Sequence, residues 1–78
     1  MDFKTLDTVV LERDLPEFAL RRGDLGAIIE CGEPDSLEVE FVAASGRTQA
    51  VVTLKTSDVR HVRDDDLVAV RPLQQAAG

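Results

Sequence analysis

The sequence predicts an all-β domain of five to six short antiparallel strands. Three observations carry this. The apolar residues fall in short runs separated by turn-forming residues. One run, Leu37-Glu38-Val39-Glu40-Phe41-Val42, alternates strictly between apolar and acidic, as a half-buried strand requires. No stretch of ten or more residues shows a helical period.

Thr8-Val9-Val10-Leu11 is the first strand, rich in β-branched residues. Asp14-Leu15-Pro16 ends it, because Pro16 lacks an N–H for a ladder and pushes Leu15 towards an extended conformation. A loop follows to about Asp24, with Phe18 and Leu20 expected to fold back over the core. Ala27-Ile28-Ile29-Glu30-Cys31 is the second strand, and residues 32–36 (Gly-Glu-Pro-Asp-Ser) form a turn. In the third strand Leu37, Val39 and Phe41 share one face, and Glu38 and Glu40 the other. Ser45-Gly46-Arg47 makes a hairpin turn, with Gly46 able to take positive φ. The partner strand runs from Thr48 to Leu54, with Ala50, Val52 and Leu54 in phase. A 3-10 turn near residues 57–59 or a short strand through Val62 comes next. Asp64-Asp65-Asp66 reads as a solvated turn and Leu67-Val68-Ala69-Val70 as a last strand, stopped by Pro72. Strands this short and numerous, with a long first loop and one tight hairpin, suggest a small SH3-like barrel over residues 1–73 and a flexible tail over 74–78.

A chain of 78 residues makes one domain. Hydrophobic content of 44% supports a core, and with Phe3, Phe18 and Phe41 the only aromatics, that core is aliphatic. Nine basic residues against 15 acidic ones leave a net charge of −6. That balance opposes binding to nucleic acid, which needs cations to displace counterions, and to anionic membranes; a basic protein surface is the partner it suits. Cys31 is the single cysteine, so no disulfide forms within the chain. The amino-terminal stretch has no apolar targeting segment and no run long enough to span a membrane, so a cytoplasmic setting is expected.

No residue set has the pattern of a catalytic or metal centre, and no cofactor is expected. His61 is the only histidine, and neither Cys31 nor Ser36, Ser45 or Ser57 sits in an activating turn; an exposed strand-edge histidine and a buried, apolar cysteine are expected instead. Three consecutive carboxylates at residues 64–66 point in different directions on an extended chain and lack the spacing of a calcium loop. Glu38 and Glu40 lie roughly 7 Å apart along a strand. Such a pair performs glycosidic chemistry only around a cleft, and so small a barrel offers little concavity.

The stretch Leu20-Arg21-Arg22-Gly23-Asp24-Leu25-Gly26-Ala27-Ile28-Ile29-Glu30 holds an Arg-Gly-Asp triplet and two arginines beside glycine. It lacks the Gly-x-x-x-x-Gly-Lys-Ser/Thr of a phosphate-binding loop and leads into a strand rather than a helix. The expected geometry is a turn at Gly23 and Gly26, with Leu25 and Ile28 facing the core and Arg21 and Arg22 in water. A glycine-containing turn before a strand is also similar to the ribosomal and transcription-factor modules called KOW.

Residues 6–30, 37–54 and 67–73 together resemble a small bacterial family, domain of unknown function 4926. The resemblance rests on Asp14-Leu15-Pro16, Arg22-Gly23-Asp24-Leu25-Gly26 and Val39-Glu40-Phe41. Ala19 departs from the family pattern, which often carries glycine there. The resemblance implies a compact, mostly β protein without transferable catalytic residues, and by analogy a small companion of a larger partner, in the manner of an antitoxin or immunity protein. The expected function is a non-catalytic acidic module that binds another protein. Its contact residues would be Asp14, Pro16 and Phe18 in the first loop, Arg21 and Arg22 at the turn, Glu38 and Glu40 on the wet face, or the last strand. The alternative is a KOW-like nucleic-acid or ribosome contact through Arg21, Arg22 and Arg47; a minimal hydrolase using Glu38, Glu40 or His61 stands third. Self-association through an open sheet edge is a further expectation.

Overall fold

The computed structural model describes residues 3–73, so the expected tail at 74–78 lies outside the described residues. Five strands form one antiparallel sheet: β1 (Thr8–Leu11), β2 (Leu25–Gly32), β3 (Ser36–Val42), β4 (Thr48–Lys55) and β5 (Val59–His61). Their order across the sheet is β4-β3-β2-β1-β5. Two 3-10 turns, Pro16–Phe18 and Thr56–Asp58, complete the regular structure, and no α-helix is present among the described residues.

The expected barrel is met only in part, because the sheet does not close. β4 and β5 are the two edges and do not pair. Yet a flat sheet of five strands would hold its edges about 19 Å apart, whereas the four chain steps from Lys55 to Val59 reach at most about 14 Å. The Thr56–Asp58 turn therefore forces the sheet to curl. Asp58 secures that corner: its carboxylate accepts the Lys55 N–H at 2.9 Å and the Arg13 Nε–H at 2.9 Å. Its carbonyl accepts the Glu12 N–H at 2.8 Å. Partial burial opposes ionisation of Asp58, but these donors outweigh it and hold its pKa below the ordinary value.

The curl encloses an aliphatic core. Leu37, Val39 and Phe41 of β3 point inward with Val52 and Leu54 of β4, Ile28 of β2, Val9 and Leu11 of β1, and Val59 of β5. The alternation in β3 thus does what the sequence pattern expects. Ile28 is fully buried, and truncating such a side chain to alanine costs about 2–5 kcal/mol. Leu15 and Leu20 seal one side of the core from the first loop. They exchange backbone hydrogen bonds at 2.9 and 3.1 Å across the Pro16–Phe18 turn, and this returns the chain to β2. Leu20 is buried as expected, whereas Phe18 sits at the margin with about a third of its surface exposed. The turn ends at Ala19, whose φ of 59° and ψ of 31° are left-handed.

Three expectations need correcting. Gly26 is not part of the turn: it lies inside β2, opposite Val9. A Cβ on it would stand 2.6 Å from Val39 Cγ1 and 2.9 Å from Phe41 Cε2, so its role is close approach. Gly23 alone makes the turn, at φ 98°. Strand parity then places Leu25 opposite Val10 on the outer surface, 40% exposed, rather than in the core. Finally, residues 67–70 form no strand. Both neighbours of β1 are already in place, and residues 67–70 pair with neither open edge, β4 or β5.

Candidate interaction surface

Beyond His61 the chain doubles back as an extended arm over residues 62–73. Two carboxylate–guanidinium pairs fix its course. Arg60 Nη1 and Nη2 each donate to Asp66 at 2.9 Å, a two-pronged contact at the start of the apolar segment. At its far end Arg71 Nε donates to Asp24 Oδ1 at 3.0 Å and Nη2 to Oδ2 at 2.5 Å, while the Ala19 carbonyl accepts Nη2 at 3.1 Å. Planar two-pronged pairs hold orientation as well as charge.

The electrostatics follow from these contacts. Burial works against the ionised form of Asp24, but the Arg71 guanidinium and the Arg21 N–H, at 2.7 Å, prevail and lower its pKa. Asp66 is held well below the usual carboxylate range, by Arg60 first and by the Arg63 N–H at 2.7 Å second. The expected solvated turn at residues 64–66 is thus corrected at Asp66, which is an anchor; Asp64 and Asp65 are exposed.

Between the pairs, Leu67, Val68 and Val70 are 91%, 69% and 97% exposed. Behind them, between the arm and the outer surface of the sheet, lies a groove of about 690 Å³ lined by Val10, Leu25, Val42 and Val62 among others. Val10 is nearly buried yet stands outside the core cluster, so the arm side of the sheet carries an apolar layer of its own.

The other residues singled out from sequence are spread over the surface. The Asp14 carboxylate accepts the Arg22 N–H at 2.8 Å, so its role is to brace the turn. Pro16 opens the 3-10 turn, and the Phe18 carbonyl accepts Gln49 Nε2 at 3.1 Å. Arg21 and Arg22 are exposed, with Arg22 Nη2 3.8 Å from Glu12. Glu38 and Glu40 accept the hydroxyls of Thr53 at 2.6 Å and Thr48 at 2.5 Å, which ties each to β4. Gly46 turns the β3–β4 hairpin at φ 92°, and Arg47 is exposed beside it. His61 is exposed and stacks on Phe3 with ring centres 4.4 Å apart. Cys31, expected to be buried, is exposed near the end of β2, its Sγ 3.7 Å from the Phe3 carbonyl. No three side chains capable of holding a metal are grouped among the described residues.

Sequence reasoning missed Asp24, Arg60, Asp66 and Arg71 as a set. Each reads singly as a solvated charge, and only the doubled-back arm brings the members of each pair together.

The geometry defines a small curled-sheet β domain with an apolar groove under an anchored arm. A model of the family described as a domain of unknown function (DUF4926) matches residues 5–61, and the chain belongs to that family. The match contains all five strands and both 3-10 turns and stops before the arm, so residues 67–73, counted above in the resemblance, fall outside it. No curated protein and no solved structure matches the chain.

Proposed function

We propose that the protein is a non-catalytic module that binds another protein chain through the groove between its sheet and its arm. The observation that carries this is the outer apolar surface: Leu25, Val42, Leu67, Val68 and Val70 are all substantially exposed around one groove in a small acidic domain. A contiguous apolar patch of this kind is costly to leave in water and marks a contact site. The unpaired outer edges of β4 and β5 add a second means of holding an extended segment. The forced curl, with both edges joined by one 3-10 turn, supports reading the domain as an SH3-like barrel left open between β4 and β5. A cytoplasmic companion of a larger acidic-tolerant or basic partner is the setting that a net charge of −6 suits best.

Affinity capture from cell extract tests this with the wild type and Leu25→Arg. The wild type retains one protein in stoichiometric amount, and Leu25→Arg loses it while melting as the wild type does. If both variants recover nothing, or the same set, the groove is not a binding site.

A nucleic-acid contact through Arg21, Arg22 and Arg47 has less behind it, since Glu12 stands beside Arg22 and the net charge is −6. It requires binding at low salt that Arg21→Ala with Arg22→Ala abolishes.

A further inference from the structure

The apolar groove adjoins a second, smaller and polar hollow of about 300 Å³, and Val10, Arg22, Gly23 and Arg60 border both. Three guanidiniums face the hollow, those of Arg22, Arg60 and Arg63, against one lining carboxylate among the described residues, that of Glu12. Arg60 is spent on Asp66, to which it donates twice. Arg22 is not: its Nη2 stands 3.8 Å from Glu12, beyond hydrogen-bond reach, and its side chain is 73% exposed. Arg63 donates to Asp66 through its backbone N–H, while its side chain makes no hydrogen bond or ion pair among the described residues. Asp64 and Asp65 are exposed and do not line the hollow. An acidic domain thus carries a local surplus of positive charge where its apolar groove begins.

We propose that the groove takes the carboxyl terminus of a partner polypeptide, with its last apolar residues under the arm and its terminal carboxylate between Arg22 and Arg63. The inference rests on the groove reading above and narrows it to one kind of segment.

Two observations select a chain end, and one end in particular. The arm is tied down at two points beside the groove, by Arg60–Asp66 and by Asp24–Arg71. The interior of a chain passes beneath it only if one of these pairs breaks, whereas a chain end slides in with both intact. The hollow then decides which end. An amino terminus would set its ammonium among guanidiniums, while a carboxylate meets the planar donors that pair with it best. The charges that line the groove itself are spent on one another, Asp66 on Arg60 and Asp24 on Arg71. Residues preceding the terminus are therefore uncharged, matching the layer of Val10, Leu25 and Val42.

The intact protein tests this by NMR titration with two synthetic probes, acetyl-Ser-Gly-Ser-Val-Val-Leu with a free carboxyl end and the same peptide ending in an amide. The free acid is expected to bind about tenfold more tightly. A chain of net charge −6 repels an added carboxylate at long range, so this order reports the hollow and not the overall charge. Arg22→Gln with Arg63→Gln removes the preference and leaves the melting temperature unchanged, since both side chains are exposed. Equal binding of acid and amide overturns the proposal; if Leu25→Asp then releases both, the groove reading stands without it. A preference for the acid that survives in the double variant overturns it as well. So does the absence of binding by either peptide, with affinity capture left to decide on the groove.

Discussion

Arg71 grips the Asp24 carboxylate from 47 positions further along the chain, with Nε on one oxygen and Nη2 on the other. The pair joins the arm to the turn that starts β2, and both side chains are about three-quarters or more shielded. Asp24→Asn removes the charge while keeping an acceptor, and loses roughly 1 kcal/mol of stability after allowing for screening. The arm then protects poorly against protease while β1 to β4 retain their protection. Limited proteolysis read by mass spectrometry reports the difference; equal resistance of the two proteins would show that Asp24 does not hold the arm.

Stability falls in acid, and the sign follows from the lowered carboxylates. Asp24, Asp58 and Asp66 all ionise more readily in the folded chain than at the ordinary value of 3.8. Their stabilisation is fully present above that value and is lost as pH falls below it towards their folded pKa values. Melting temperature is expected to be level near neutrality and to drop steeply below about pH 4. Asp58→Asn makes the drop shallower, as thermal melts in a pH series will show.

Ala19 carries a conformation better suited to glycine. Its φ of 59° ends the Pro16–Phe18 turn, and a left-handed position costs an L-residue about 1–2 kcal/mol. Glycine avoids that strain but gains entropy in the unfolded chain. Ala19→Gly therefore stabilises by about 0.5–1 kcal/mol net, measurable by urea denaturation. A loss of stability would show that the left-handed geometry carries no strain here.

Glu30 stands opposite Glu38 across the β2–β3 ladder. Like charges in that relation repel, and Glu38 is committed to Thr53. Glu30→Lys replaces repulsion with attraction and raises stability by about 0.2–1 kcal/mol. The gain shrinks in high salt, which distinguishes it from a change in strand propensity.

Gly26 tests the close approach. Gly26→Ala pushes a methyl against Val39 and Phe41 and costs about 1–3 kcal/mol. Gly26→Val costs more, with the order read from chemical denaturation.

The sequence made the sheet legible where one face is wet and the other dry. Alternation in β3 and the phase of Ala50, Val52 and Leu54 in β4 report burial directly, because side chains on a strand switch faces at every step. Leu67-Val68-Ala69-Val70 has the composition of a strand and is not one, since composition cannot say whether a neighbouring edge is available. Leu25 was misplaced because glycine in a strand and glycine in a turn look alike in sequence: with Gly26 inside β2, Leu25 stands three regular steps from the inward-facing Ile28 and so takes the opposite face. The groove was hidden altogether: it depends on Arg60, Asp66, Asp24 and Arg71, charges whose partners only the fold reveals.

β1 has apolar packing on both sides. Val9 and Leu11 face the core, and Val10 lies under the outer layer of the groove. It is also hydrogen-bonded to a strand on each flank. Because its only cover at one flank is the three-residue edge strand β5, the groove side adds protection that releasing the arm removes, and faster exchange of hydrogen for deuterium at these four residues is the expected result. The arm, although outside the residues that the family model matches, thereby shields a strand that the short edge β5 alone covers on one flank.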